Sequence, residues 1–160
     1  MFVRAGAAGT VFMDRMDDNW LLWQLAVTAA LAGLCWTVQL AVYPLFARLI
    51  GAAGLEGFRG YHAAYTAGMG WVAAPLMLVE LGLAGWWLAN EPGVTAAWIG
   101  AGLVVGIWIQ TFAQSVPWHG RLQKAPDAGL AARLARWNWM RTLAWTVRAG
   151  VLLVWLCKTR

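Results

Sequence analysis

Four apolar stretches, each long enough to cross a bilayer, take up most of this chain. Trp20 to Tyr43 carries no charge, Ala63 to Ala89 only Glu80, and Val94 to Val116 none, while Trp137 to Cys157 carries Arg141 near one end and Arg148 well inside. Each exceeds the roughly 20 residues that a helix needs to span about 30 Å of hydrocarbon. In lipid the backbone must satisfy its own polar groups, which makes helix the conformation open to such segments. The sequence therefore predicts an all-α integral membrane protein. Residues 1–160 form a single membrane domain whose four transmembrane helices, about 20–43, 63–89, 94–116 and 137–157, make an antiparallel bundle. Charged residues are 12% of the chain, about half the share in a soluble domain.

The segments between the spans set the expected topology. Asp17, Asp18 and Asn19 read as the N-terminal cap of the first span. Residues 1–11 have a weak apolar run and no cleavage site in the right setting, so a signal peptide is not expected, and Met13 or Met16 is a candidate start. Pro44 is expected to end or kink the first span, and the Gly-rich residues 45–60 to form a loop. Asn90-Glu91-Pro92-Gly93 is a strong turn signal that makes spans two and three a tight hairpin. Span three is expected to stop at Pro117. Leu130, Leu134 and Trp137, spaced i, i+4, i+7, then predict a short interfacial amphipathic helix between helices 3 and 4.

The basic residues set the expected orientation. Seven (Arg48, Arg59, Arg121, Lys124, Arg133, Arg136, Arg141) fall on one side and four (Arg4, Arg15, Lys158, Arg160) on the other. The positive-inside rule puts the richer side in the cytoplasm and both termini outside, as in a multi-pass protein of a bacterial inner membrane. Most of the 13 Trp residues fall near span ends as interfacial anchors; Trp36, Trp71, Trp108 and Trp145 are deeper, one per span. The net charge of +5 does not indicate nucleic acid, because the basic residues flank spans and form no stripe. Cys35 and Cys157 fall at different depths, which argues against a disulfide.

Hydrophilic side chains within the spans recur at helical spacing. Gln24, Thr28, Leu31, Cys35 and Gln39 share one stripe of the first span. His62 and Glu80 are 18 residues apart, five full turns, on one face with Tyr65, Thr66 and Met69. Gln110, Thr111 and Gln114 cluster on the third span; Asn138, Arg141, Trp145 and Arg148 follow on the fourth. Lipid turns such stripes inward. Glu80 and Arg148 come to similar depth, and an intramembrane ion pair is expected between them. The remaining polar groups gather in the cytoplasmic half and predict a site. His119, Arg141 and His62 are the candidate catalytic residues; Asn138, Gln110, Gln114, Tyr65 and Trp145 are the candidate substrate-binding residues. Two histidines without a nearby carboxylate make a thin metal site, none is assigned, and the sequence names no cofactor.

Val116-Pro117-Trp118-His119-Gly120-Arg121-Leu122, followed by Trp137-Asn138-Trp139-Met140-Arg141-Thr142, resembles the DUF1772 family of small four-helix membrane proteins, which includes the anthrone oxygenases. The resemblance covers about the last 45 residues, with Tyr43-Pro44 earlier in the chain. It implies a membrane pocket for a flat aromatic substrate that O₂ oxidises. Asn138 and Arg141 match its motif, and His119 stands where the family has Asn.

Three functions stay open at this stage. One is an enzyme or binder for a hydrophobic aromatic or quinone-like molecule, with Arg141 stabilising an enolate or phenolate oxygen, His119 or His62 moving a proton, Asn138 orienting the ring and Trp145 stacking on it. The second is a non-catalytic accessory subunit of a larger respiratory or photosynthetic membrane complex. The third is a small transporter, for which four spans are few. The partners implied are membrane lipid, a hydrophobic small molecule, and a membrane-protein partner or a second copy of the chain.

Overall fold

The computed structural model describes the backbone of residues 8–159 and the side chains of residues 19–159. The readings made above on residues 1–7, and the counted residues Arg4 and Arg160, lie outside the described residues. The described residues form five α-helices and no strand: α1 (Ala8–Thr37), α2 (Tyr43–Asn90), α3 (Thr95–Gln110), α4 (Val116–Lys124) and α5 (Ala128–Thr159). Two π-helical turns join them without a break, Val38–Val42 between α1 and α2 and Thr111–Ser115 between α3 and α4. Three helical stretches are long and apolar enough to cross a membrane: Asn19–Asn90, Thr95–Lys124 and Ala128–Thr159.

The first stretch is folded back on itself at Gly54. A straight helix would put Tyr65 about 28 Å from Phe46, at 1.5 Å per residue. Their ring centroids lie 5.4 Å apart, and Phe46 also meets Phe58 at 5.7 Å. The reversal takes place at one residue, Gly54, whose φ of 69° lies in the left-handed region open to glycine. Residues 45–60 are thus a helical hairpin rather than the expected loop. Phe46 and Phe58, both 0% exposed, pin its two arms together. Thr28 to Glu80 and Trp20 to Trp86 are the next contacts along, so α1 and the second arm of α2 run antiparallel.

The prolines act differently from expectation as well. Pro44 and Pro117 each sit two residues beyond a π turn, and neither ends its helix. Proline lacks an N–H and crowds the carbonyl four residues back. A turn closed by i→i+5 bonds holds one extra residue and relieves that crowding. It also corrects the helix register. Steps of four residues overshoot an α-turn by about 40° each, yet Leu31, Cys35, Gln39 and Tyr43 are all buried across the first π turn.

Three more expectations change. Asp17 to Asn19 lie within α1, which begins at Ala8, so they do not cap it. No separate interfacial helix stands between the third and fourth apolar segments. Leu130, Leu134 and Trp137 are on the opening turns of α5, which runs unbroken to Thr159. Leu134 is buried against Phe46 and Phe58, because the α2 hairpin covers this end of the molecule. Asn90 to Val94 form the expected turn, with Val94 N–H donating to Glu91 O at 3.1 Å. Among the long helices, α5 packs on α1, α2 and α3, and α2 packs on α1 and α3.

Candidate functional site

The interior holds two separate polar centres. In the first, Arg148 Nε donates to Glu80 Oε1, and both side chains are fully buried. Thr28 Oγ1 donates to the same carboxylate oxygen at 2.6 Å. The Gln24 amide, with its oxygen turned to the guanidinium, accepts from Arg148 Nη2 at 2.7 Å. Gly100 completes the enclosure, since a Cβ there would collide with Arg148 Nη1. Residues from α1, α2, α3 and α5 therefore meet at one ion pair, the one expected from sequence. Desolvating two charges is costly, so this centre depends on each partner being present.

The second centre borders a cavity of about 770 Å³, within the size range of small-molecule sites. Glu80 and Arg148 do not line it. Six of the eight candidate residues do: His62, Tyr65, His119, Asn138, Arg141 and Trp145. Gln110 and Gln114 do not. Gln110 Nε2 is turned to Trp137 O at 2.7 Å, and Gln114 Oε1 is buried without a partner. For Gln114 the π turn is the reason. It keeps Thr111, Ser115, His119 and Gln123, a series at steps of four, on the cavity wall, and Gln114 faces elsewhere. Of the four deep Trp residues, Trp145 and Trp108 line the cavity, Trp36 donates to Thr146 at 3.0 Å, and Trp71 is 83% exposed on the outer surface.

The two histidines form part of a hydrogen-bonded chain. Gln123 Nε2 donates to Arg59 O at 3.1 Å, which leaves Gln123 Oε1 to accept from His62 Nδ1 at 2.7 Å. With that tautomer, His62 Nε2 accepts from His119 Nδ1 at 2.9 Å. His119 Nε2 in turn accepts from the Tyr43 hydroxyl at 3.2 Å. The chain leads from the Arg59 carbonyl to the cavity wall. The two rings stack at 5.1 Å with 28° between planes. A haem iron between two imidazoles needs them on opposite faces of its plane, and these two are bonded directly to each other. Among the described residues no group of three His, Cys, Asp or Glu side chains gathers around a metal-sized point.

Arg141 supplies the cavity with its one charged wall residue. Its Nη1 donates to Ser115 Oγ at 3.2 Å, and its Nε is buried without a partner. Among the described residues no acidic side chain lines the cavity. Asn138 Nδ2 is held by Gln39 Oε1 at 3.0 Å and Thr142 Oγ1 at 3.3 Å, which fixes the amide beside that guanidinium. Tyr43, Ser115 and Gln123 were missed by sequence reasoning. Tyr43 was within reach as the next step of four beyond Gln39; Ser115 and Gln123 become visible only once the π turn is known.

Comparison with protein-family models, with curated proteins and with solved structures gave no match to this chain.

Proposed function

We propose that this chain is an integral membrane protein that binds a hydrophobic aromatic or quinone-like molecule in the cavity. In this reading the four apolar segments cross the membrane as an antiparallel bundle. The end bearing His62, His119 and Gln123 faces the cytoplasm of a bacterial cell, and both termini are outside. The observation that carries the reading is Arg141, a guanidinium on the cavity wall that no carboxylate among the described residues neutralises. A cation in such a setting is costly unless an anion or a strong acceptor meets it. A carbonyl, enolate or phenolate oxygen on a flat ring supplies that acceptor, and the faces of Trp145 and Trp108 supply stacking surface.

The chain Tyr43–His119–His62–Gln123 extends the reading toward catalysis. Tyr43 and His119 both border the cavity. A ring hydroxyl held by Arg141 gives its proton to the Tyr43 oxygen as Tyr43 passes its own to His119 Nε2. His119 then passes its Nδ1 proton to His62 Nε2, which leaves His119 neutral as the other tautomer and His62 as the imidazolium. The resulting anion is the form that dioxygen oxidises, which is the chemistry implied by the likeness of Pro117-Trp118-His119 and Asn138 to Thr142 to the DUF1772 family. Isothermal titration of the purified full chain with benzoquinones and polyphenols tests the reading. Saturable binding that Arg141→Ala abolishes supports it. No binding by the wild type to any of these compounds rules it out.

A further inference from the structure

We propose that the molecule taken up is a lipid, an oxygenated ring bearing an alkyl or isoprenoid tail, and that it enters sideways between α2 and the π turn at Thr111–Ser115. This rests on the functional reading above and adds to it the tail and the route.

The polar wall residues lie at one end of the cavity, where Tyr43, His62 and His119 are bonded in series. The exposed wall residues run along one side of the cavity. On α2 they are Gly70, Ala74 and Leu78; opposite them are Phe112, Val116 and Gly120. Each set advances in steps of four, so each marks one edge of a helix about 12 Å long at 1.5 Å per residue, and the two edges overlap around Gly70, Ala74, Phe112 and Val116, where they border the opening. α2 packs on α3 and on α4 but not closely on the π turn between them. A Cβ added at Gly70 or Gly120 would meet nothing within 4 Å.

The surroundings of this opening identify what passes through it. None of its six residues is charged or carries a polar side chain. The neighbouring outer surface is apolar too, with Trp71 83% and Ile109 63% exposed. In the membrane reading this surface faces hydrocarbon, and a polar solute would have to leave water to reach it. A ring with a hydrocarbon tail is already dissolved there. Its oxygenated ring gains Arg141 and the hydrogen-bonded chain, while its tail stays in the opening at no cost in exposed apolar surface.

The test compares a benzoquinone bearing a ten-carbon tail with its tailless parent, by isothermal titration of the full chain in one detergent. The wild type is expected to bind both. Ala74→Trp plugs the opening and is expected to lower affinity for the tailed compound by about tenfold or more, since a few methylenes lose their site. Binding of the tailless compound should fall much less than that of the tailed one, and an unchanged circular dichroism spectrum shows that the variant is folded. Ala67→Trp, exposed on the same helix but away from the cavity, should change neither. A wild type that binds the tailless compound alone overturns the tail and the route but leaves the functional reading standing. So does an Ala74→Trp variant that weakens both compounds equally or neither. A wild type that binds neither overturns both proposals.

Discussion

Replacing Arg148 with Gln removes the cation from a centre that is 0% exposed and leaves Glu80 with Thr28 as its remaining donor. Breaking one member of a buried pair costs about 3–5 kcal/mol, because the other charge stays behind without compensation. At about 2–4 °C per kcal/mol for a chain of this size, the unfolding midpoint should fall by about 6–20 °C. Glu80→Gln should cost a similar amount, since Arg148 is then held by Gln24 alone. The double variant is the informative one. It removes both charges and leaves neutral amides that Thr28 and Gln24 still reach. Its loss should be smaller than the sum of the single losses by about 2–3 kcal/mol, the upper part of measured coupling energies. Thermal and denaturant unfolding in one fixed detergent, followed by circular dichroism, measures all four proteins. Losses that add to within about 0.5 kcal/mol would mean that the two residues do not act as a pair.

Gly100→Ala should destabilise by about 1–3 kcal/mol in the same assay, because the new methyl group displaces a guanidinium already held on two sides. Gly54→Ala should cost about 1–3 kcal/mol, because φ 69° with ψ 177° is a backbone region essentially open only to glycine. Gln110→Ala and Gln114→Ala should leave ring-compound affinity unchanged by titration, because neither side chain lines the cavity. Asn138→Ala should weaken that affinity, because the amide that stands beside Arg141 is lost.

The helical character, the turn at Asn90–Gly93 and the Glu80–Arg148 pair were legible because each rests on one regular feature: run length, turn chemistry or the 3.6-residue period. The stripe from Gln24 to Gln39 is buried at every position named, with exposures of 0% to 6%. The site was legible to the extent that the same period holds. His62, Tyr65, Asn138, Arg141 and Trp145 lie on unbroken helix and line the cavity as expected. Gln114 was misplaced because Thr111–Ser115 departs from that period, while Gln110, the last residue of α3, is turned to Trp137 O. The departure is tied to Pro117, whose usual meaning in sequence is a stop. Gly54 was hidden in the same way. Its neighbours Gly51, Gly57 and Gly60 read as a flexible loop, yet a single left-handed residue makes the turn and helix continues on either side. The interfacial helix was a correct amphipathic pattern assigned to the wrong environment, since the α2 hairpin and not a membrane surface covers Leu134.

The central claim is that Arg141 holds an oxygenated ring inside the protein. The most direct measurement is the absorption spectrum of the full chain purified in mild detergent from the cells that make it, beside that of Arg141→Ala prepared identically. The account predicts a ring chromophore beyond the Trp and Tyr bands in the wild type, in fixed ratio to protein, and its loss from the variant with helix content unchanged. A chromophore retained at the same ratio in Arg141→Ala, or a wild-type spectrum of Trp and Tyr alone that no added quinone or polyphenol alters, would contradict it.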